Sequence, residues 1–131
     1  MFIHPLQADP VPRTSRFSLN PIAQYTFDTT VTTGSLIFSG VLDRFPSLQL
    51  ILSHGGGALP YLIGRFDCLH RRVDRSASGD VAQLDPSAYL GRMHYDTILH
   101  DAQSLRFLAQ RVGVARMLLG TDDSFPPADL E

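Results

Sequence analysis

Short apolar runs and helix-period stripes alternate along this chain. Phe2-Ile3-His4 is a brief apolar run closed by Pro5, the pattern of a strand end. Residues 5–21 hold four prolines (Pro5, Pro10, Pro12, Pro21) and little apolar periodicity, which predicts a loop. From about Thr26 to Phe45 the positions Leu36, Ile37, Val41, Leu42 and Phe45 recur at helical spacing, and Pro46 ends that helix. Leu48-Gln49-Leu50-Ile51-Leu52 predicts a second strand, followed at once by Ser53-His54-Gly55-Gly56-Gly57. Leu59, Leu62, Ile63, Phe66 and Leu69 then fall on one helix face. Residues 73–88 are polar and irregular, and Met93 to Ile98 predicts a third strand. Asp101 can cap a helix whose inner face uses Leu105, Leu108 and Val112, with Gly113 as its C-terminal signal. Arg116 to Gly120 is a last strand running into Thr121-Asp122-Asp123.

Strands alternating with helices predict an α/β fold built on right-handed crossovers and a parallel sheet. An open doubly wound sheet and a (β/α)₈ barrel both satisfy that order. At 131 residues the chain is short for a whole barrel, which takes about 250. Three helices are also too few to cover both faces of an open sheet. The expectation is one unit, residues 1–131, forming part of a barrel and resembling a piece of something larger.

Composition narrows the chemistry. The 44% hydrophobic and 18% charged fractions are those of a globular protein. A net charge of −2, from 11 basic and 13 acidic residues without clustering, gives no footprint for nucleic acid or a membrane surface. No apolar run approaches the roughly 18–20 residues that span a bilayer. Met1-Phe2-Ile3-His4-Pro5 has neither the basic nor the long apolar part of a secretory leader, so the expected location is the cytoplasm. One cysteine, Cys68, excludes an internal disulfide. Every basic residue is Arg, which removes Schiff-base and P-loop lysine chemistry. The only Glu is Glu131, so interior carboxylate chemistry falls to Asp. Five His and the Asp residues suit a divalent metal.

Placement picks out the candidates. His4 ends the first strand, His54 ends the second and Asp122 follows the fourth. In parallel α/β folds such ends gather at one mouth, where ligands bind. A single His at a strand end is more often packing or a solvated tip, but three matching positions favour a site. The His-Gly-Gly-Gly run also occurs as the oxyanion loop of lipase-like hydrolases, a reading that needs a G-x-S-x-G elbow this sequence lacks. His94 shares a strand face with Asp96, His100 sits beside a cap, and His70 reads as solvent-facing on its helix. Cys68 reads as a buried, inert thiol. Arg65, Arg71 and Arg72 can grip a carboxylate bidentately, although a helical Arg is more often a solvated face.

The segments "FIHP", "LIFSGVLDRFPSLQLILSHGGGALPYLIGRFD", "YLGRMHYDTILHD" and "LRFLAQRVGVARMLLGTDDSFP" resemble, in order, the second half of the amidohydrolase-related family. The branch is that of aminocarboxymuconate-semialdehyde decarboxylase and aromatic-acid decarboxylases, and the resemblance runs from Phe2 to Pro127. It implies strands five to eight of a distorted (β/α)₈ barrel around a divalent metal, commonly zinc. It implies His4 and Asp122 as metal ligands, with His54 beside the metal and handling protons together with Asp122. Arg65 and Arg72 lie near where such decarboxylases hold a substrate carboxylate. The family's His-x-His pair of the first strand has no counterpart here, and neither do its first four β/α units. The expectations are a decarboxylase of an unsaturated or aromatic acid, a metal-dependent hydrolase of C–N or C–O bonds, or an inactive half-barrel that only self-associates. The implied partners are a small carboxylic acid and either further copies of the chain or the other half of a barrel.

Overall fold

The computed structural model describes residues 1–6, 11–72, 74, 77 and 79–123. Four short strands, β1 (Phe2–Ile3), β2 (Ile51–Leu52), β3 (His94–Asp96) and β4 (Met117–Leu118), form one sheet in sequential order. All pairings are parallel, with Ile3 opposite Leu52, Leu52 opposite Tyr95, and Tyr95 opposite Met117. Backbone bonds continue the ladder past the strand ends, from the Ser53 N–H to the Ile3 carbonyl (3.1 Å) and from the His94 N–H to the Leu50 carbonyl (2.8 Å). Between strands lie α1 (Tyr25–Phe38), α2 (Val41–Arg44), α3 (Leu59–Arg72) and α4 (Ala102–Val112). The expected α/β fold is therefore present, a sector of a (β/α)₈ barrel. Among the described residues no helix is long and apolar enough to cross a membrane.

Alternation along the strands sorts residues between two faces. Leu50, Leu52, Met93 and Tyr95 are wholly buried in one cluster with Ile37, Leu42, Leu59, Ile63 and Leu108 of the helices. The opposite parity, Phe2, Ile51, Asp96 and Leu118, lines an open depression of about 290 Å³ together with His4, Gly120 and Asp122. Helices thus cover one face, and the other holds the polar strand ends.

Local chemistry explains the differences from the sequence expectations. The segment read as a loop turns helical at its end: Asn20–Gln24 is a π-helical turn opening on Pro21, where proline's missing N–H costs nothing. The single helix expected over Thr26 to Phe45 divides at Gly40, whose φ of 67° is left-handed and starts α2 anew. Within the polar stretch 73–88 and just beyond, Pro86–Arg92 forms 3₁₀ turns. There the Tyr89 hydroxyl donates to Asp43 of α2 (2.7 Å). Residues 73, 75, 76 and 78 of that stretch lie outside the described residues, as does the chain from residue 124 on, including the end of the resemblance at Pro127.

Two side chains sit elsewhere than a helical wheel suggests. His70 is buried, not solvent-facing, because Asp80 packs over α3 and its Oδ2 meets His70 Nδ1 at 2.6 Å. Cys68 is exposed, not buried. Asp101 caps α4 as expected, accepting from the Ser104 N–H at 2.7 Å, and Gly113 ends that helix with φ of 88°.

Candidate metal centre

His4, His54 and Asp122 each offer one donor atom within 4.8 Å of the others. On a flat sheet β1 and β4 stand about 14 Å apart, three spacings of about 4.8 Å. His4 Nε2 nevertheless lies 3.6 Å from Asp122 Oδ1, so the two edge strands must curl toward a common mouth. His54 Nε2 is 3.8 Å from Asp122 Oδ2, and the two imidazoles are 5.1 Å apart at their centroids.

Backbone conformation aims these groups. His54 (φ 54°) and Asp122 (φ 55°) both adopt the left-handed region, uncommon for residues with a Cβ and frequent at functional sites. The glycines after His54 permit the turn. A Cβ on Gly57, at φ 63°, would stand 2.1 Å from the Thr26 carbonyl of α1, so only glycine fits. The Ala58 N–H, at the entry to α3, donates to Thr30 Oγ1 of α1 at 2.9 Å, which locks the loop to the helical layer.

The donor set fits a divalent cation. Nitrogen and oxygen ligands at about 2.0–2.2 Å from a tetrahedral ion stand roughly 3.5 Å apart. The spacings of 3.6 Å (His4 to Asp122 Oδ1) and 3.8 Å (His54 to Asp122 Oδ2) are too long for hydrogen bonds and close to that value, while one donor atom from each residue falls within 4.8 Å of the other two, a slightly wider set. His4 Nδ1 lies 2.9 Å from the Pro5 carbonyl. A carbonyl only accepts, so Nδ1 carries the proton and Nε2 presents its lone pair to Asp122 and His54. Burial pushes the His54 pKa below its ordinary 6.5, against the attraction of Asp96 and Asp122, so its ring is neutral at pH 7.

Arg65 and Arg72 are not brought into this cluster. Both are exposed on α3, whose first residue leaves the rim of the site. At about 1.5 Å per residue, Arg65 lies roughly 9 Å and Arg72 roughly 20 Å along the helix from Leu59. Arg71, between them, pairs with Asp85.

A fourth strand-end residue, Asp96, belongs to the site and was not among the sequence candidates. It closes β3, lines the depression and is 4% exposed. Its Oδ1 accepts from the N–H groups of Gly55 (2.8 Å) and Ile98 (3.2 Å). Burial raises its pKa, while the N–H groups of Gly55, His54 and Ile98 pull it down. The signal was available, because Asp96 ends its strand as His4, His54 and Asp122 end theirs.

Comparison with known proteins identifies the relatives of this fold. The amidohydrolase family model matches residues 3–131. A curated relative, 2-amino-3-carboxymuconate-6-semialdehyde decarboxylase of Dictyostelium discoideum, is 34% identical over 99% of this chain. The chain spans 36% of that relative's length. Among solved structures, 5-carboxyvanillate decarboxylase from Sphingomonas paucimobilis superposes with a TM-score of 0.80 at 26% identity, over 98% of this chain and 39% of that one. Dihydroxybenzoic acid decarboxylase from Polaromonas, crystallised with manganese and 2-nitroresorcinol, gives 0.76 at 25% identity, over 94% and 39%.

Proposed function

Because the chain belongs to the amidohydrolase family, we propose that it supplies His4, His54 and Asp122 to the centre of a metal-dependent decarboxylase acting on an unsaturated or aromatic carboxylic acid. The single observation that carries this reading is the convergence of three strand-end donors within 4.8 Å. His4 and Asp122 would hold the cation, with His54 beside them. A bound divalent ion, zinc by preference, supplies positive charge that orients the substrate's oxygens and offsets negative charge developing on it.

Decarboxylation breaks one carbon–carbon bond, leaves its electron pair on the substrate carbon and requires a proton there as CO₂ departs. His54 and Asp122 are the groups to relay that proton, and the 3.8 Å between Nε2 and Oδ2 is a gap that one bridging water would close. Burial lowers the His54 pKa, so a proton passed to its ring is held weakly and given up easily. The apolar lining of Phe2, Ile51, Ile98 and Leu118 suits a flat unsaturated skeleton. For a carboxylate of the substrate Arg65 is the nearer of the two arginines, whereas Arg72, roughly 20 Å along α3, stands too far from the cluster to share its substrate. The names of the curated relatives favour decarboxylation over hydrolysis for this site.

Calorimetric titration with zinc and with manganese tests the centre. The chain is expected to bind, and Asp122→Ala to weaken binding by tenfold or more. Identical curves for the two proteins remove the metal role. Release of CO₂ from hydroxybenzoic or amino-carboxymuconic acids, abolished by His54→Ala, tests the chemistry.

A further inference from the structure

Two complementary atoms beside the metal centre lack partners. His54 Nδ1 and Asp96 Oδ2 are both fully buried, and neither has a hydrogen-bond partner among the described residues. One is a nitrogen able to donate, the other a carboxylate oxygen able only to accept. Such orphans inside a protein ordinarily find each other or share a water. Asp96 is already fastened to the His54 loop through its other oxygen, by the Gly55 N–H.

We infer that Asp96 is a positioning residue for His54: its Oδ2 receives the Nδ1 proton, directly or through one water, and so turns the Nε2 lone pair toward His4 and Asp122. The inference rests on His54 being part of the metal centre proposed above. The arrangement is a carboxylate behind an imidazole, which fixes both the tautomer and the ring orientation. Asp122 competes for the proton from the Nε2 side. Asp96 Oδ1 cannot take over this duty, because the Gly55 and Ile98 N–H groups already point at it.

Those two N–H groups make Asp96→Asn a sharp probe. They demand an acceptor at the Oδ1 position, so the asparagine oxygen must go there and its NH₂ must face His54. The variant keeps the loop fastened but turns an acceptor into a donor, and the imidazole proton is driven to Nε2. A purely structural Asp96 would leave the ring untouched by this change. Long-range ¹H–¹⁵N spectra of the histidine-labelled chain, recorded without metal at about pH 8 where imidazoles are neutral, report the tautomer. We expect Nδ1–H for His54 in the parent and Nε2–H in Asp96→Asn. Zinc affinity should fall by roughly 10- to 100-fold in the variant, with little change in its thermal midpoint.

A parent His54 already protonated on Nε2, or an unchanged His54 spectrum in the variant, overturns the inference. If Asp96→Asn does not fold, the parent spectrum alone decides. A parent chain that binds neither zinc nor manganese overturns the metal reading above, and the tautomer spectra still judge Asp96.

Discussion

At the scale of single residues, His54 carries the most demanding set of constraints. It occupies left-handed backbone, its Nδ1 is buried, and its pKa lies below 6.5 chiefly because burial disfavours the charged ring. The sign of the consequence follows. Between its folded value and 6.5 the folded chain binds fewer protons than the unfolded chain, so this group's contribution to stability is complete above 6.5 and is lost as pH falls through the folded value. An NMR titration of the metal-free chain should place the His54 midpoint below 6.5; a midpoint at or above it contradicts the burial. The strand-end candidates His4, His54 and Asp122 were readable from sequence because parallel strands point their C-terminal residues to one mouth. Asp96 obeys the same rule but was read by alternation as the partner of His94, since one Asp at a strand end resembles any turn residue. His70 was unreadable for another reason: periodicity along α3 says nothing of Asp80, which arrives from a different segment to cover it.

At the scale of elements, the strands are shorter than the apolar runs that predict them. Leu48 to Leu52 reads as five strand residues, while the paired β2 is only Ile51–Leu52. Hydrogen bonding over two residues cannot hold such a strand by itself, so packing must. Leu50 and Leu52 are wholly buried against the helical layer, whereas Ile51 faces the depression and is only half-buried. Leu52→Ala is therefore expected to cost about 2–5 kcal/mol, and Ile51→Ala clearly less, by urea unfolding. Equal losses would mean that both faces are packed alike. Helix ends were readable where a side chain supplies the signal, as at Asp101 and Gly113. The break in the first helix was not, because Gly40 sits inside an apolar stripe that stays in phase on both sides of it, and only its positive φ marks the division.

At the scale of the whole molecule, the layers are unequal. Helices cover one side of the sheet, while among the described residues β1 and β4 each pair on one edge only. Apolar side chains stand in the open along those edges: Phe2 is 55% exposed, Leu118 39% and Leu119 91%. Unpaired strand edges flanked by exposed apolar residues recruit further strands. The two edges also carry the site, since His4 follows β1 and Asp122 follows β4, so anything that covers them borders the metal centre. We therefore expect the purified chain to self-associate as its concentration rises, in sedimentation velocity experiments. Leu119→Asp, which places a charge on the most exposed apolar residue of the β4 edge, should shift the distribution toward monomer. The 3.6 Å separation of His4 and Asp122 further requires the edge strands to stay curled, so edge contacts and metal affinity should change together. A parent chain that remains a monomer at every concentration, with zinc affinity equal to that of Leu119→Asp, would show that the curl is intrinsic to the four strands and their helical layer.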